Sequence, residues 1–556
     1  MQIKKIYFFP AVLILAVGVI LGMQIDAADS SDDVRQNGMK IQEAFYLISK
    51  QYVDDVDTGR VAEYSIEGML KQLDPHSIYI DAEDMKEVQD EYRGEFGGIG
   101  IWFQIMNDTA RVVSTISGGP SEEAGVLAGD RIISVDGTEV VGETNLQKYL
   151  KGPIGTDVLV TMQRLGEAEP IDISIRRDKI RLVSIDSAYM LDDETGYIHI
   201  ERFSAKTHEE FVEAVQRLRA DGMEQLMIDL RNNGGGVMQS ALAMVNEMVD
   251  GGKVIVSTRS RIAEYNDRVV SNERGILKNM PVIVMVNGSS ASASEIVSGA
   301  LQDHDRALIV GRRTFGKGLV QKPFSLSDGS VLQMTISRYY TPSGRLIQTP
   351  YEDGDKEDYY KEKFESLQST YFSLDEYKES IPDSLQYETS HGRTVYGGGG
   401  ILPDFFLPLD TTVAPVMRAL NRNATYITYI REVFDKNEQD LRDRWGDRKD
   451  DFATAYTISE DMWTGFWDYA AEKDDITVTT DDALVNAKEK VFPMAQVTEN
   501  RDLIETYLTA YMAGRLYGQE ASIPIFNSVD DELASAQRFW DEARNLAETY
   551  HMAGNY

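Results

Sequence analysis

The sequence predicts an α/β core that carries a small inserted β module and has helical regions at both ends. Three observations support this. Between residues 187 and 409, short apolar strands alternate with amphipathic helices. A βαβ rhythm with buried strands implies a largely parallel sheet covered by helices. Residues 94–177 switch to short strands punctuated by glycine. Residues 35–92 and 411–556 show the 3,4 spacing of apolar residues that marks helices. The 556 residues fit three or four domains, at roughly 150 residues each. A composition of 42% hydrophobic and 26% charged residues allows a large core.

Composition excludes several functions. The 56 Lys and Arg against 91 Asp and Glu give a net charge of −35. So acidic a surface repels phosphate backbones, which excludes general nucleic-acid binding. The absence of cysteine removes disulfides, thiolate nucleophiles and thiolate metal sites. Six histidines leave few candidates for histidine chemistry.

At the N-terminus, Lys4 and Lys5 precede an apolar run over residues 6–25. A helix of that length spans about 30 Å of hydrocarbon. Residues 1–28 are therefore expected to be a membrane anchor or signal. The uncleaved single-pass anchor is preferred, because Asp26 stands where a cleavage site ending at Ala28 needs a small residue. The flanking lysines place the remainder outside the inner membrane, in the periplasm or extracytoplasmic space. Cleavage would instead release the protein to the periplasm.

Residues 35–92 follow as a helical region, with Ile41, Phe45, Ile48 and Tyr52 on one face and a second helix ending before Pro75. The module at 93–178 contains Asp136-Gly137 between apolar runs, a hairpin signal. In the core, 179–410, strands are expected at 196–203, 225–230, 254–258, 281–286 and 307–310. Helices are expected at 208–220, 237–249 and 292–302. A hairpin turns at Asp328-Gly329. The acidic, tyrosine-rich stretch 351–390 reads as an exposed insertion. In the C-terminal helical domain, 411–556, Leu533, Ala536, Trp540, Ala543, Ala547 and Tyr550 form one stripe, with Ser528 and Asp531 resembling a capping box. Core packing is the simpler reading of the stripe. Self-association is the alternative, so a homo-oligomer stays open.

Two segments carry chemistry. NGSSASASE at 287–295 follows a buried strand and opens a helix. A serine there sits beside free N–H groups and the positive end of the helix dipole, a setting that can hold an oxyanion. Simple capping by Ser290 or Ser292 is the bland alternative. TFGKGLVQ at 314–321 supplies a base. Lys317 lies between glycines after a buried strand. A lysine shielded from water loses proton affinity and can deprotonate a serine hydroxyl. Gln321 can orient the amine without the charge that would stabilise an ammonium. His304 is 12 residues from Ser292, about 18 Å along a helix, which disfavours a histidine base.

These two segments, with DLRNNGGG at 229–236, YTPSG at 340–344 and GILPD at 400–404, resemble the C-terminal processing peptidases, or tail-specific proteases. The matches run in the family's order over about residues 35–410. The resemblance implies a ClpP/crotonase-like peptidase core. It implies Ser292 as nucleophile, Lys317 as base 25 residues on, and Gln321 as its partner. It places the oxyanion hole at the N–H groups of Ala293 and a loop glycine, Gly235. Gly234 departs from the family, which often has proline there. Residues 93–178 resemble a PDZ domain, with Gly97, Gly98, Ile99 and Gly100 as the loop that meets a substrate C-terminus. In the family this module delivers tails to the peptidase and can gate its site.

The sequence thus points to a cell-envelope serine endopeptidase acting near protein C-termini by a Ser-Lys dyad. Its expected partners are protein or peptide substrates with apolar C-termini and, through the N-terminal segment, the membrane. No metal or organic cofactor is implied. The alternative is a catalytically inactive PDZ adaptor that binds tails without cutting them.

Overall fold

The computed structural model describes residues 31–554 apart from positions 107, 117, 128, 144, 165–166, 273–274, 352–355, 370–373 and 410–412. Among the described residues no helix is long and apolar enough to cross a membrane. The two longest, Ser31–Gln51 and Thr425–Trp445, carry charges along their length. This overturns the expected single-pass inner-membrane placement. The run at 6–25 that suggested it lies outside the described residues.

The chain divides into two compact units, residues 1–79 with 352–356, and residues 80–351 with 357–556. In the first, helices α1 (Ser31–Gln51) and α2 (Thr58–Leu70) are present as expected. Asp57 caps α2 by accepting the Arg60 N–H at 3.1 Å. Ile41, Ile48 and Tyr52 of the α1 stripe stay exposed.

The second unit opens with α3 (Asp84–Arg93) and β1 (Glu95–Gly98). A small sheet follows from β2 (Ile101–Met106), β3 (Thr109–Thr115), β4 (Arg131–Val135), β5 (Thr138–Glu139), β6 (Asp157–Gln163) and β7 (Ile171–Arg176). Its order is β2-β3-β4-β6-β7, with β5 hairpinned onto β4, so β2 is an edge strand. The hairpin turns at Asp136 (φ 49°) and Gly137 (φ 77°). Two successive positive φ values are what a two-residue type I′ turn requires. Val112, Ile132, Val158, Val160 and Ile175 form the module's core. Arg164 clamps Asp130 by donating from Nε and Nη2, at 2.8 and 2.7 Å. The chain leaves through β8 (Asp178–Arg181), which pairs antiparallel with β1 and closes the insertion at its neck.

The main sheet is built from β9 (Ile185–Met190), β10 (Thr195–Ile200), β11 (Gln225–Asp229), β14 (Val282–Val286), β15 (Leu308–Gly311) and β18 (Phe405–Phe406), in that order. Only the β9–β10 pair is antiparallel. Helices α4 (Thr207–Ala220), α5 (Met238–Asn246) and α6 (Ala293–Asp303) cover one face. Strand alternation divides the sheet's side chains. Ile198, Ile228, Val284 and Ile309 meet those helices, whereas Tyr197, Met227, Ile283, Met285 and Val310 point the other way. Beside this sheet, β12 (Val254–Arg259) pairs with β13 (Asp267–Val270) and with β17 (Val331–Tyr340), and β16 (Leu319–Ser325) forms the expected hairpin with β17.

Part of the stretch expected as an exposed insertion is packed. Helix α7 (Lys356–Ser369) buries Tyr359, Lys363 and Leu367. The C-terminal region forms a bundle of α8 (Thr425–Trp445), α9 (Glu460–Asp474) and α10 (Arg501–Tyr517) around Tyr426, Phe466, Leu508 and Met512. Its last helices, α11 (Asp531–Ala536) and α12 (Trp540–Gly554), lie on the second face of the main sheet, where Leu533, Ala536, Trp540 and Ala543 pack on Met227, Ile283, Met285 and Val310. The stripe is therefore covered within the chain, which sets aside self-association through it. The cap is Asp530, which accepts the Leu533 N–H at 3.0 Å, rather than Ser528.

If α12 completes this core, Trp540→Ala should cost about 3–5 kcal/mol of stability. Denaturant titration checks this, and an unchanged midpoint would mean the helix is not seated on the sheet.

Candidate active site

Three loops leave the C-terminal ends of β11, β14 and β15, the end of a parallel sheet where ligands characteristically bind. The loop after β14 begins at Asn287, whose side-chain oxygen accepts the N–H groups of Asn232 and Ser289, both at 3.0 Å. Ser290 donates its hydroxyl to Leu230 O at 2.7 Å, and Ser294 donates to Asn233 O at 3.0 Å. These serines bind the first two loops together. Ser292 sits at the start of α6 with φ 54° and ψ −108°. This lies outside the left-handed helical basin and costs on the order of 1–3 kcal/mol for a residue with a Cβ. A strained serine at a strand-to-helix turn presents its hydroxyl above the sheet.

The strain is held from two sides. Tyr339 donates its hydroxyl to Ser292 O at 3.2 Å. Glu295 accepts the Ser292 N–H at 2.9 Å. Glu295 Oε2 also accepts the Lys317 N–H at 2.8 Å, while Oε1 accepts the Thr314 hydroxyl at 2.6 Å and the Gly316 N–H at 2.5 Å. One carboxylate thus fixes the backbones of Ser292 and Lys317. Burial pushes its pKa upward against these four hydrogen bonds. Gly316 has φ 86°, and a Cβ there would meet Thr349 Oγ1 at 2.5 Å, so only glycine fits. The Lys317 side chain donates from Nζ to Gln321 Oε1 at 2.8 Å. Gln333 Nε2 donates to the same oxygen at 3.2 Å.

The glycine loop after β11 approaches Ser292 closely. A Cβ on Gly235 (φ 100°) would lie 2.8 Å from Ser292 Cβ. The Gly235 N–H is engaged by Asn233 Oδ1 at 2.8 Å. Among the described residues, the Ala293 N–H has no hydrogen-bond partner, although Ala293 is buried. At Gly234 a Cβ would meet nothing within 4 Å, so the missing proline opens no steric conflict. At the loop's root, Arg231 holds the buried Asp229 from Nη2 at 2.7 Å. Burial raises the Asp229 pKa, but Arg231 outweighs it and the carboxyl stays low.

His304 is spoken for elsewhere, since its Nε2 donates to Val254 O at 2.6 Å. In the β module, Gly97 and Gly98 lie in β1, and Ile99 and Gly100 link it to β2. Among the described residues the N–H groups of Ile99 and Gly100 have no hydrogen-bond partner.

Sequence reasoning missed two residues. Glu295 stands three after Ser292, the spacing of a capping box, and that signal was available. Lys363 gave none. It reaches in from α7, donates to Thr349 Oγ1, and holds its ammonium 5.2 Å from the Phe315 ring. Burial, with Arg313 nearby and Glu295 opposing, lowers its pKa to about 7.

Because the folded protein holds Lys363 near 7, against about 10.4 unfolded, the unfolded chain binds the extra proton between those values. Stability should therefore rise with pH across that window. Lys363→Met should reduce this rise in pH-dependent denaturation, and an identical slope would refute the assignment.

The chain matches three family models. Residues 194–358 match peptidase family S41, residues 97–175 a PDZ domain, and residues 21–84 the N-terminal domain of the activating protease CtpB. A carboxy-terminal-processing protease of Bartonella bacilliformis is 37% identical over 353 residues, covering 62% of this chain and 81% of that one. A probable CtpA-like serine protease of Staphylococcus aureus is 33% identical, covering 61% and 67%. Among solved structures, the photosystem II D1 C-terminal processing protease is 25% identical with a TM-score of 0.32, covering 66% of this chain and 92% of that one. The PDZ domain of a Vibrio cholerae carboxy-terminal protease, solved with a peptide, is 33% identical with a TM-score of 0.15, covering 16% and 99%. This chain belongs to the carboxy-terminal-processing proteases of peptidase family S41, as a serine peptidase with an inserted PDZ domain.

Proposed function

We propose that Ser292 is the nucleophile and Lys317 its general base, in an endopeptidase that cuts proteins near C-terminal tails held by the PDZ domain. The observation that carries this reading is the hydrogen bond from Lys317 Nζ to Gln321 Oε1, at 2.8 Å. A neutral acceptor aims the amine without adding a charge that favours the ammonium. In its neutral form Lys317 takes the Ser292 proton as the hydroxyl oxygen attacks the scissile carbonyl. The tetrahedral oxyanion is received by the Ala293 N–H and by a glycine-loop amide, Gly235 once released from Asn233. Lys317 then protonates the leaving amine, and water hydrolyses the acyl-enzyme.

For tail binding, β2 is an edge strand that a peptide can extend. The open N–H groups of Ile99 and Gly100 at its start suit a terminal carboxylate. Gly97 and Gly98 shape the approach from within β1. Exposed Trp102 and Ile105 on β2 favour apolar tails.

With a peptide ending in a free apolar C-terminus, Ser292→Ala and Lys317→Ala should each lower kcat by about 10³-fold or more. Gln321→Ala should lower it by about tenfold, and C-terminal amidation should raise KM. The pH profile of kcat/KM should climb as Lys317 loses its proton. Wild-type protein that binds the peptide without cutting it would instead establish the adaptor reading.

A further inference from the structure

The matched family models end at residue 358, yet the C-terminal helices reach the roots of two active-site loops. Asp530 caps α11 with Oδ1 and accepts Arg231 Nη2 on Oδ2 at 2.7 Å. Glu532 accepts Arg231 Nη1 on Oε2 at 3.2 Å and Arg312 Nη1 on Oε1. Arg231 opens the glycine loop after β11, and Arg312 opens the Lys317 loop after β15. Between them, the Arg312 N–H donates to Val286 O, the last residue of β14, from which the Ser292 loop departs.

The ion network is shielded. The side chains of Arg231 and Arg312 are 14% and 9% exposed, and those of Asp530 and Glu532 are 22% and 23% exposed. Charge-assisted hydrogen bonds to guanidinium groups are directional and set position as well as energy. On the sheet, α11 buries Leu533 and Ala536. The carboxylates add a second constraint, aimed at the loops.

We propose that Asp530 and Glu532 are positioning residues. Through Arg231 and Arg312 they fix the glycine loop and the Lys317 loop relative to Ser292, making the C-terminal extension part of the turnover machinery. This rests on the Ser292–Lys317 reading. Its effect belongs to kcat, because tails bind at the PDZ module.

The test uses the full-length chain and a peptide with an apolar C-terminus. Glu532→Gln and Asp530→Asn should each lower kcat about tenfold, because small misplacements of reacting groups are expensive, with KM within about twofold. Glu532→Asp should restore part of the loss. Leu533→Ala should lower the melting temperature and leave kcat within about twofold. Hydrogen exchange should speed up at residues 231–236 and 312–318 in Glu532→Gln but not in Leu533→Ala. Unchanged kcat in both carboxylate variants, or an equal loss in Leu533→Ala, would overturn the proposal. If Ser292→Ala still cleaves, the dyad reading fails instead, and the exchange measurement alone then decides on the clamp.

Discussion

The buried carboxylate of Glu295 is the constraint on which the site depends. Ser292 and Lys317 come from different loops, and nothing in the local sequence of either loop sets the other's position. Glu295 does so by accepting N–H groups from both on one oxygen, with Thr314 and Gly316 on the other. Hydrogen bonds to a charged acceptor are worth about 1.5–3 kcal/mol each. Together they offset the strained φ of Ser292 and part of the cost of burying the carboxylate. Lys363 lies behind, where burial and Arg313 lower its proton affinity and Glu295 raises it. The acidic stretch that reads as an exposed insertion thus supplies a buried amine beside Thr349 and Phe315.

The sheet gives this arrangement its rigidity. Parallel strands deliver three loops to one end, and helices fill both faces, so each loop root is held by packing as well as by hydrogen bonds. One face is completed by local helices that follow their strands in sequence. The other is completed by α11 and α12, more than a hundred residues beyond the last long strand of the core. Side-chain alternation of period two lets a single strand such as β14 serve both, with Val284 toward α6 and Met285 toward α12.

What could be read from the sequence follows from the range of the forces involved. Strands β11 and β14 were legible because burial on two faces demands unbroken apolar runs. The turns at Asp136-Gly137 and Asp328-Gly329 were legible because positive φ demands particular residues on the spot. Gly316 is recorded for the same reason, since a Cβ there would collide with Thr349. The link from Glu532 to Arg231 spans 301 positions, and no local pattern encodes it. Lys363 hid behind composition, because the charges around it mask the short apolar stripe of Tyr359 and Leu367. The cap at Asp530 was misread as Ser528 because several residues in 528–531 can cap, and only the path of the chain decides among them.

The two amides proposed to receive the oxyanion differ in how they are engaged. The Ala293 N–H belongs to the first turn of α6, whose packing holds it in place, and it has no partner among the described residues. The Gly235 N–H is given to Asn233 Oδ1, and the same side chain donates from Nδ2 to Ile200 O at 2.7 Å. Rotating Asn233 away would break both bonds inside a buried pocket, so a side-chain flip is an expensive way to free the amide. The loop backbone is tied as well, because Gly235 O accepts the Phe203 N–H at 2.9 Å and a Cβ on Gly236 would meet Phe203 O at 2.0 Å. Within the three glycines at 234–236, the Gly235 amide is thus held by Asn233 and its carbonyl by Phe203, while the Ser292 backbone is anchored by a carboxylate.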